Sequence, residues 1–263
     1  MRYFDAHCHV QFPKYDEDRD AVLASMRESE VGGLVVGCDI GSSRAALALV
    51  EHEENLYAAV GLHPNHEEDE WYEASDYRAL AVHPKVRAIG ECGLDYFRPE
   101  TIDAELKRKQ KNLFQDHIDL AIEVGKPLII HARPTKGTVD AYEDALEMLE
   151  RAKENSPSLT GDFHFFVGDA VTAARIVALG FTISYTAVLT FTSDYDEVVR
   201  SVPLSAILSE TDSPYAAPAG KRGERNTPLA TIDVVAAIAR IRGEDEEVVR
   251  EALLANSRRM FSI

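Results

Sequence analysis

Phe4-Asp5-Ala6-His7-Cys8-His9-Val10 places two imidazoles two residues apart at the end of a short apolar run. In a strand, residues i and i+2 share one face, so both rings reach one metal ion; in a helix they would lie about 200° apart. The stretch therefore reads as a strand ending in two ligands. A bare His-x-His pair also suits a polar loop. What decides between the two is whether the rest of the chain supplies ligands from equivalent positions.

Working outward, the chain alternates apolar strands with amphipathic helices. Strands are predicted at 3–10, 31–38, 56–62, 86–94, 127–132, 161–166, 181–185 and 206–212. Helices are predicted at 16–29, from an N-cap at Ser42 or Ser43 to about 53, and at 69–82, 102–124, 138–153 and 169–179. A weaker turn covers 194–201, and terminal helices cover 229–242 and 245–261. Gly125 followed by Pro127, and Gly180, mark helix ends. Eight such units point to the α/β class: a (β/α)8 TIM-type barrel with an additional C-terminal helix, one barrel domain over residues 1–263. A doubly wound open sheet would need fewer parallel strands and usually a Gly-rich phosphate turn, and no GxGxxG or P-loop occurs.

Composition narrows the context. The 263 residues are 45% hydrophobic, enough for one large core. No apolar run reaches the roughly 18 residues of a membrane span, and no secretory signal is read at the N-terminus. Three cysteines, Cys8, Cys38 and Cys92, do not make a disulfide framework, so a reduced, cytoplasmic protein is expected. The net charge of -17 disfavours a broad nucleic-acid clamp, though not a local cationic pocket. Acidic runs at 67–70 and 244–247 read as solvated helix faces, and the low lysine content also suits a salt-rich cytoplasm.

The chemistry gathers at strand ends. Strand one ends in His7 and His9, strand four carries Glu91, strand five His131, strand six His164 and strand eight Asp212. In a (β/α)8 barrel these ends converge on one face, where the active site lies. Buried carboxylates cost several kcal/mol each unless compensated, and a divalent metal compensates them. Imidazole with carboxylate suits zinc, manganese or iron, and oxygen-rich sites also take magnesium. Six ligands exceed the need of one tetrahedral ion. Two divalent ions, about 3.5–4 Å apart and bridged by a carboxylate, are expected, with Glu91 as the bridge. His7, His9 and Asp212 would complete one ion and His131 and His164 the other. Asp212 would orient the attacking water or take its proton.

These residues and others around them resemble a TatD-family metal-dependent hydrolase, a TatD-like deoxyribonuclease within the amidohydrolase-like superfamily. The matching blocks are Asp5-Ala6-His7-Cys8-His9, Val60-Gly61-Leu62-His63-Pro64, Ile89-Gly90-Glu91-Cys92-Gly93-Leu94-Asp95-Tyr96, Pro127 through Arg133, Phe163-His164-Phe165, Glu210-Thr211-Asp212-Ser213-Pro214-Tyr215 and Arg225-Asn226-Thr227-Pro228. They span nearly the whole chain in order. The resemblance implies the same barrel and the same six ligands, and a phosphodiesterase of exonuclease type acting on DNA or nucleotide termini. It departs at three places on the substrate side: His164-Phe165-Phe166-Val167-Gly168, Ala132 through Gly137, and Tyr185 through Leu189.

Other residues carry paired readings. His63 suits a phosphate contact or a loop role, Arg133 a bidentate phosphate grip. Arg225 and Asn226 suit the same grip, and Arg225 equally a loop-anchoring ion pair. His52, His66, His83 and His117 read as structural or surface groups. Cys8 and Cys92 alternate with ligands and read as packing residues, and Glu210 shares the Asp212 face as a supporting group. Trp71, Tyr96 and Tyr215 suit base stacking or packing. An ester or amide hydrolase, such as a D-aminoacyl-tRNA deacylase, is the enzymatic alternative, and a metal-stabilised scaffold the non-catalytic one. Neither a membrane nor an obligate protein partner is expected.

Overall fold

Parallel strands need long crossovers, and the computed structural model, which describes residues 1–66, 72–99 and 102–263, supplies one helix after each strand. The strands are Tyr3–Cys8 (β1), Val31–Val36 (β2), Leu56–Val60 (β3), Val86–Asp95 (β4), Leu128–Arg133 (β5), Gly161–Phe163 (β6), Thr182–Tyr185 (β7) and Ile207–Ser209 (β8). The helices are Arg19–Glu28 (α1), Ile40–Val50 (α2), Ala74–Ala81 (α3), Ala104–Val124 (α4), Asp140–Asn155 (α5), Ala170–Ala178 (α6), Asp196–Ser201 (α7), Thr231–Arg242 (α8) and Glu246–Phe261 (α9). The eight strands pair in parallel in chain order. This is the expected barrel, with α9 as the additional C-terminal helix. Among the described residues no helix is long and apolar enough to cross a membrane. Trp71, the acidic run 67–70 and the start of the helix expected from 69 lie outside the described residues.

Caps follow local chemistry. The helix expected to be capped by Ser42 or Ser43 begins instead at Asp39. Its carboxylate accepts the Ser42 amide at 2.7 Å while the Ser42 hydroxyl accepts the Asp39 amide at 3.0 Å, a reciprocal capping box. Asp103 caps α4 and Asp169 caps α6, by accepting the amides of Leu106 and Thr172. Gly125 closes α4 at φ 64.

Five strands stop short of their expected ends: β1 at Cys8, β2 at Val36, β3 at Val60, β6 at Phe163 and β8 at Ser209. The polar residues beyond them keep backbone bonds to neighbouring strands, as His164 N–H does to Ile130 O at 3.0 Å. The chain then turns through positive φ, 48° at Phe165 and 51° at Asp212, which ends the ladder and aims the side chains inward. The β1–β2 pairing shifts between Asp5 and Cys8, and β4–β5 between Ile89 and Cys92. Strict alternation is therefore broken beside His7 on β1 and at Glu91 on β4.

One apolar cluster lies between strands and helices. A second takes Phe4, Ala6, Leu34, Val36, Ala59, Ala88, Ile129 and Leu208 from the strands and Leu254 and Phe261 from α9. It fills the lower barrel, with α9 as its floor. Closure between β8 and β1 rests on one bridge, Cys8 to Ser213, with Asp212 N–H donating to His7 O at 2.9 Å and His9 N–H to Ser213 O at 2.8 Å. Asp5 staples the same seam: its carboxylate accepts the Thr211 amide at 2.9 Å and the Thr211 hydroxyl at 2.6 Å.

Candidate metal centre

Glu91 stands at the centre of the mouth, and its two oxygens face different partners. Oε2 lies 3.5 Å from His7 Nε2 and 3.9 Å from His9 Nε2. Oε1 lies 3.0 Å from His131 Nδ1 and 2.9 Å from His164 Nε2. Asp212 Oδ1 joins the first group, 3.4 Å from His9 Nε2 and 3.9 Å from His7 Nε2. The structure thus brings all six expected ligands together in two sets that share Glu91.

Tautomers show what the sets lack. His9 Nδ1 donates to Val36 O at 2.8 Å, leaving Nε2 as a lone pair, 3.1 Å from His7 Nε2. His131 Nε2 donates to Asp95 Oδ2 at 3.0 Å, so Nδ1 presents a lone pair to Glu91. Burial opposes charge on Asp95, but its bond from His131 prevails and holds its carboxyl at about 2. Burial also opposes charge on Glu91, yet the His164 and His63 imidazoles hold it well below the carboxylate range. Burial, aided by His164, pushes the His7 imidazole down to about 3. Beneath them Glu210 Oε2 faces His164 Nδ1 at 3.6 Å and His7 Nδ1 at 3.8 Å. These three buried atoms have no hydrogen-bond partner among the described residues. Burial raises the Glu210 carboxyl to about 7. Nε2 of His7, His9 and His164 and Nδ1 of His131 converge on the Glu91 carboxylate, and a divalent cation fits that donor set.

His63 sits against the same carboxylate. Its Nδ1 accepts the Asn65 amide at 3.0 Å, so the neutral ring carries its proton on Nε2, 3.3 Å from Glu91 Oε1. That proton makes His63 a donor beside the metal sets. Arg133 lines the mouth. Arg225 and Asn226 do not reach it. Arg225 grips Asp18 at 2.7 and 2.5 Å and Lys14 O at 2.7 Å, the loop-anchoring alternative. Asn226 is buried and donates to Thr211 O and Ala216 O, both at 3.3 Å. Cys8 and Cys92 are buried in the core, and Tyr96 is buried with its hydroxyl on Asp144 at 2.8 Å.

Asp95 is the functional residue that sequence reading passes over. It lies four residues after Glu91 on β4, and that i+4 spacing is its only signal. Asp95→Asn is expected to lower metal affinity or turnover about 10- to 100-fold without unfolding the protein. Metal content by mass spectrometry and the thermal midpoint check it, and unchanged affinity and turnover would sink it.

The cavity above these groups holds about 1110 Å³. Its walls include Thr135 to Thr138, Phe165, Val167 and Val188, from the segments where the chain departs from its resemblance.

The family model described as TatD related DNase matches residues 4–262. The chain belongs to that family. Among TatD-family relatives it is similar to the metal-dependent hydrolase YcfH of Escherichia coli (strain K12), 35% identical over 100% of this chain and 97% of that one. It is similar also to the metal-dependent hydrolase YabD of Bacillus subtilis (strain 168), 34% identical over 99% of each. Both relatives are described as uncharacterized. The crystal structure of YjjV, a TatD homolog from Escherichia coli K12, superposes with a TM-score of 0.86 at 29% identity, covering 100% of this chain and 98% of that one. A TatD-family hydrolase structure from Entamoeba histolytica, at 20% identity and a TM-score of 0.82, shares the fold. The protein is a metal-dependent hydrolase of the TatD family, with several clusters of His, Glu and Asp able to hold a metal.

Proposed function

We propose that the protein hydrolyses phosphodiesters at the ends of DNA, releasing nucleotides, with two divalent ions shared by Glu91. The carrying observation is the division of labour on Glu91: Oε2 toward His7 and His9, Oε1 toward His131 and His164. Ions bound there would supply Lewis acidity to the attacking water and to the phosphoryl oxygens. Magnesium, manganese and zinc are the candidates.

The protein's own groups supply the rest. Asp212 lies on the open side of the first set, and its contacts with His9 and His7 overcome the burial that opposes its charge. It takes the proton of the attacking water as that oxygen bonds to phosphorus and the P–O bond to the leaving group breaks, the leaving oxygen taking a proton from solvent. His63 offers its Nε2 proton, and Arg133 its guanidinium, to the non-bridging oxygens. On a protein of net charge -17, a local cationic rim of Arg98, Arg133 and Lys136 suits a strand terminus better than the flank of a duplex. The three free cysteines suit a reducing, cytoplasmic setting.

Protein loaded with magnesium, manganese or zinc is expected to release mononucleotides from single-stranded DNA, with activity lost on chelation and restored by metal. Loaded protein that releases none would end this reading. Release of amino acid from a D-aminoacyl-tRNA without nucleotide release would favour the ester-hydrolase reading instead.

A further inference from the structure

The start of β4 carries charge of the opposite sign to the protein as a whole. Lys85, Arg87 and Lys126 gather there, on a chain of net charge -17. β4 begins at Val86 and Glu91 lies further along it, so this group sits at the N-terminal face of the barrel, away from the mouth. At about 3.3 Å per residue, Arg87 lies about 13 Å below Glu91. Lys85 and Arg87 share one ring: the ammonium lies 4.9 Å and the guanidinium carbon 5.6 Å from the Tyr57 centroid. Lys126 is close enough to feel the same guanidinium. Burial first, and Arg87 second, push the Lys126 ammonium down to about 8, and the same two causes lower that of Lys85.

The two lysines have spent their hydrogen bonds. Lys85 Nζ donates to the carbonyls of Glu53, of Glu54 at 3.1 Å and of Leu56 at 3.0 Å. Lys126 Nζ donates to the carbonyls of Ala81, of His83 at 3.2 Å and of Val86 at 2.6 Å. An ammonium has three donors, so both groups are pinned and contribute charge alone. Arg87 is the reverse. Among the described residues its guanidinium has no hydrogen bond and no ion pair, and its Nε is buried without a partner. Arg27, Arg78 and Arg175 each hold a carboxylate, at 2.6, 2.6 and 3.0 Å. The carboxylates that act on Lys85 are those of Glu53 and Glu54, both more weakly than Arg87 does, and Glu53 is the one that Arg27 holds. An unpaired guanidinium beside two fixed ammonium groups is costly unless an anion meets it.

We propose that Arg87, in the field of Lys85 and Lys126, binds a phosphate-type dianion at the base of the barrel, a site separate from the metal centre. A guanidinium grips two oxygens of such a group in parallel, and more than one positive charge favours a dianion over a carboxylate. The chain has 45 acidic side chains and, among the described residues, sets none of them on Arg87, which leaves that fork to a ligand from solution. Free phosphate and the phosphoryl group of a small phosphomonoester share the required chemistry. The site is independent of what the mouth hydrolyses.

The test uses the full chain loaded with magnesium, at constant ionic strength. The Arg87 Nε–H signal in a nitrogen–proton NMR spectrum, assigned by its absence from Arg87→Lys, is followed as inorganic phosphate is added, and again with glycerol phosphate. A saturable shift with a dissociation constant of about 1 mM or lower is expected. Sulfate should compete and chloride should not. At ten times the dissociation constant the bound anion should raise the thermal midpoint by about 3–5 °C, and Arg87→Gln should lose that rise. Arg87→Lys keeps the charge without the fork and should show a rise only at about tenfold more phosphate. Arg133→Gln, changed at the mouth, should keep both the shift and the rise. No shift of the Arg87 signal, an equal shift with chloride, or a rise that Arg87→Gln retains in full would overturn the proposal. A shift with glycerol phosphate alone would support it and identify the ligand as an esterified phosphate; a shift with both would support the phosphoryl group itself.

Discussion

Glu91→Gln is expected to lower kcat/KM about 10²- to 10³-fold while leaving the barrel folded. Glutamine has the same shape but no charge, and its amide nitrogen cannot accept. Glu91 meets imidazoles with both oxygens, within 3.0 Å on the His131 and His164 side. Replacing one of them with a donor removes half of the shared contact. Losing a single preorganised electrostatic group costs about 3–4 kcal/mol of transition-state stabilisation, and each 1.36 kcal/mol is tenfold in rate. Stability separates this from misfolding. A metal at 100 times its dissociation constant adds about 2.7 kcal/mol, roughly 5–10 °C in a domain of this size. The wild type should show that rise, and the variant should lose it; its metal-free midpoint should fall, because the imidazoles that hold the Glu91 carboxyl below its ordinary range lose their charged partner, so the missing rise and not the midpoint itself reports the metal. A variant that still gains the full rise and turns over normally would remove Glu91 from the centre of the site.

Gly93→Ala is expected to cost about 4 kcal/mol or more, a large share of the roughly 5–15 kcal/mol that holds a domain together. Gly93 sits at φ +130, where side chains are rarely tolerated, and a Cβ there would lie 2.1 Å from the His131 carbonyl oxygen. The obstacle is backbone of a buried central strand, so nothing flexible can yield. Gly125→Ala is the control: φ is +64 and no heavy atom lies within 4 Å of its added Cβ. That substitution should cost about 1 kcal/mol. Denaturant midpoints compare them, and similar losses at the two sites would refute the steric account.

The barrel was legible because each strand–helix unit announces itself locally, through apolar runs and the breaks at Gly125 and Gly180. The convergence of His7, His9, Glu91, His131, His164 and Asp212 was legible because histidine and carboxylate inside apolar strands are chemically conspicuous. Residues defined by a distant partner were not. Asp95 reads as the polar exit of a strand until His131 is seen against it. Asp5 reads as part of a motif until its carboxylate is found on Thr211. Arg225 and Asn226 look like phosphate binders from their residue types, yet Asp18 and the carbonyls of Thr211 and Ala216 occupy them. The cap of α2 was misplaced for the converse reason: Asp39 and Ser42 share the motif, and only geometry shows which is outside the helix. The ends of β6 and β8 were overextended because a turn through positive φ redirects the chain, at Phe165 and Asp212.

The seam between β8 and β1 also sets an order of events. His7 lies on β1 and His9 just beyond its end, while Asp212 follows β8. Their meeting, through the Cys8–Ser213 bridge and the Asp5 staple, waits until the whole sheet has been synthesised and curled. A nascent chain therefore carries two histidines that can hold metal but lacks the carboxylate that completes their set. Parting the two edges of the sheet would separate Asp212 from His7 and His9 while the other strands stay paired.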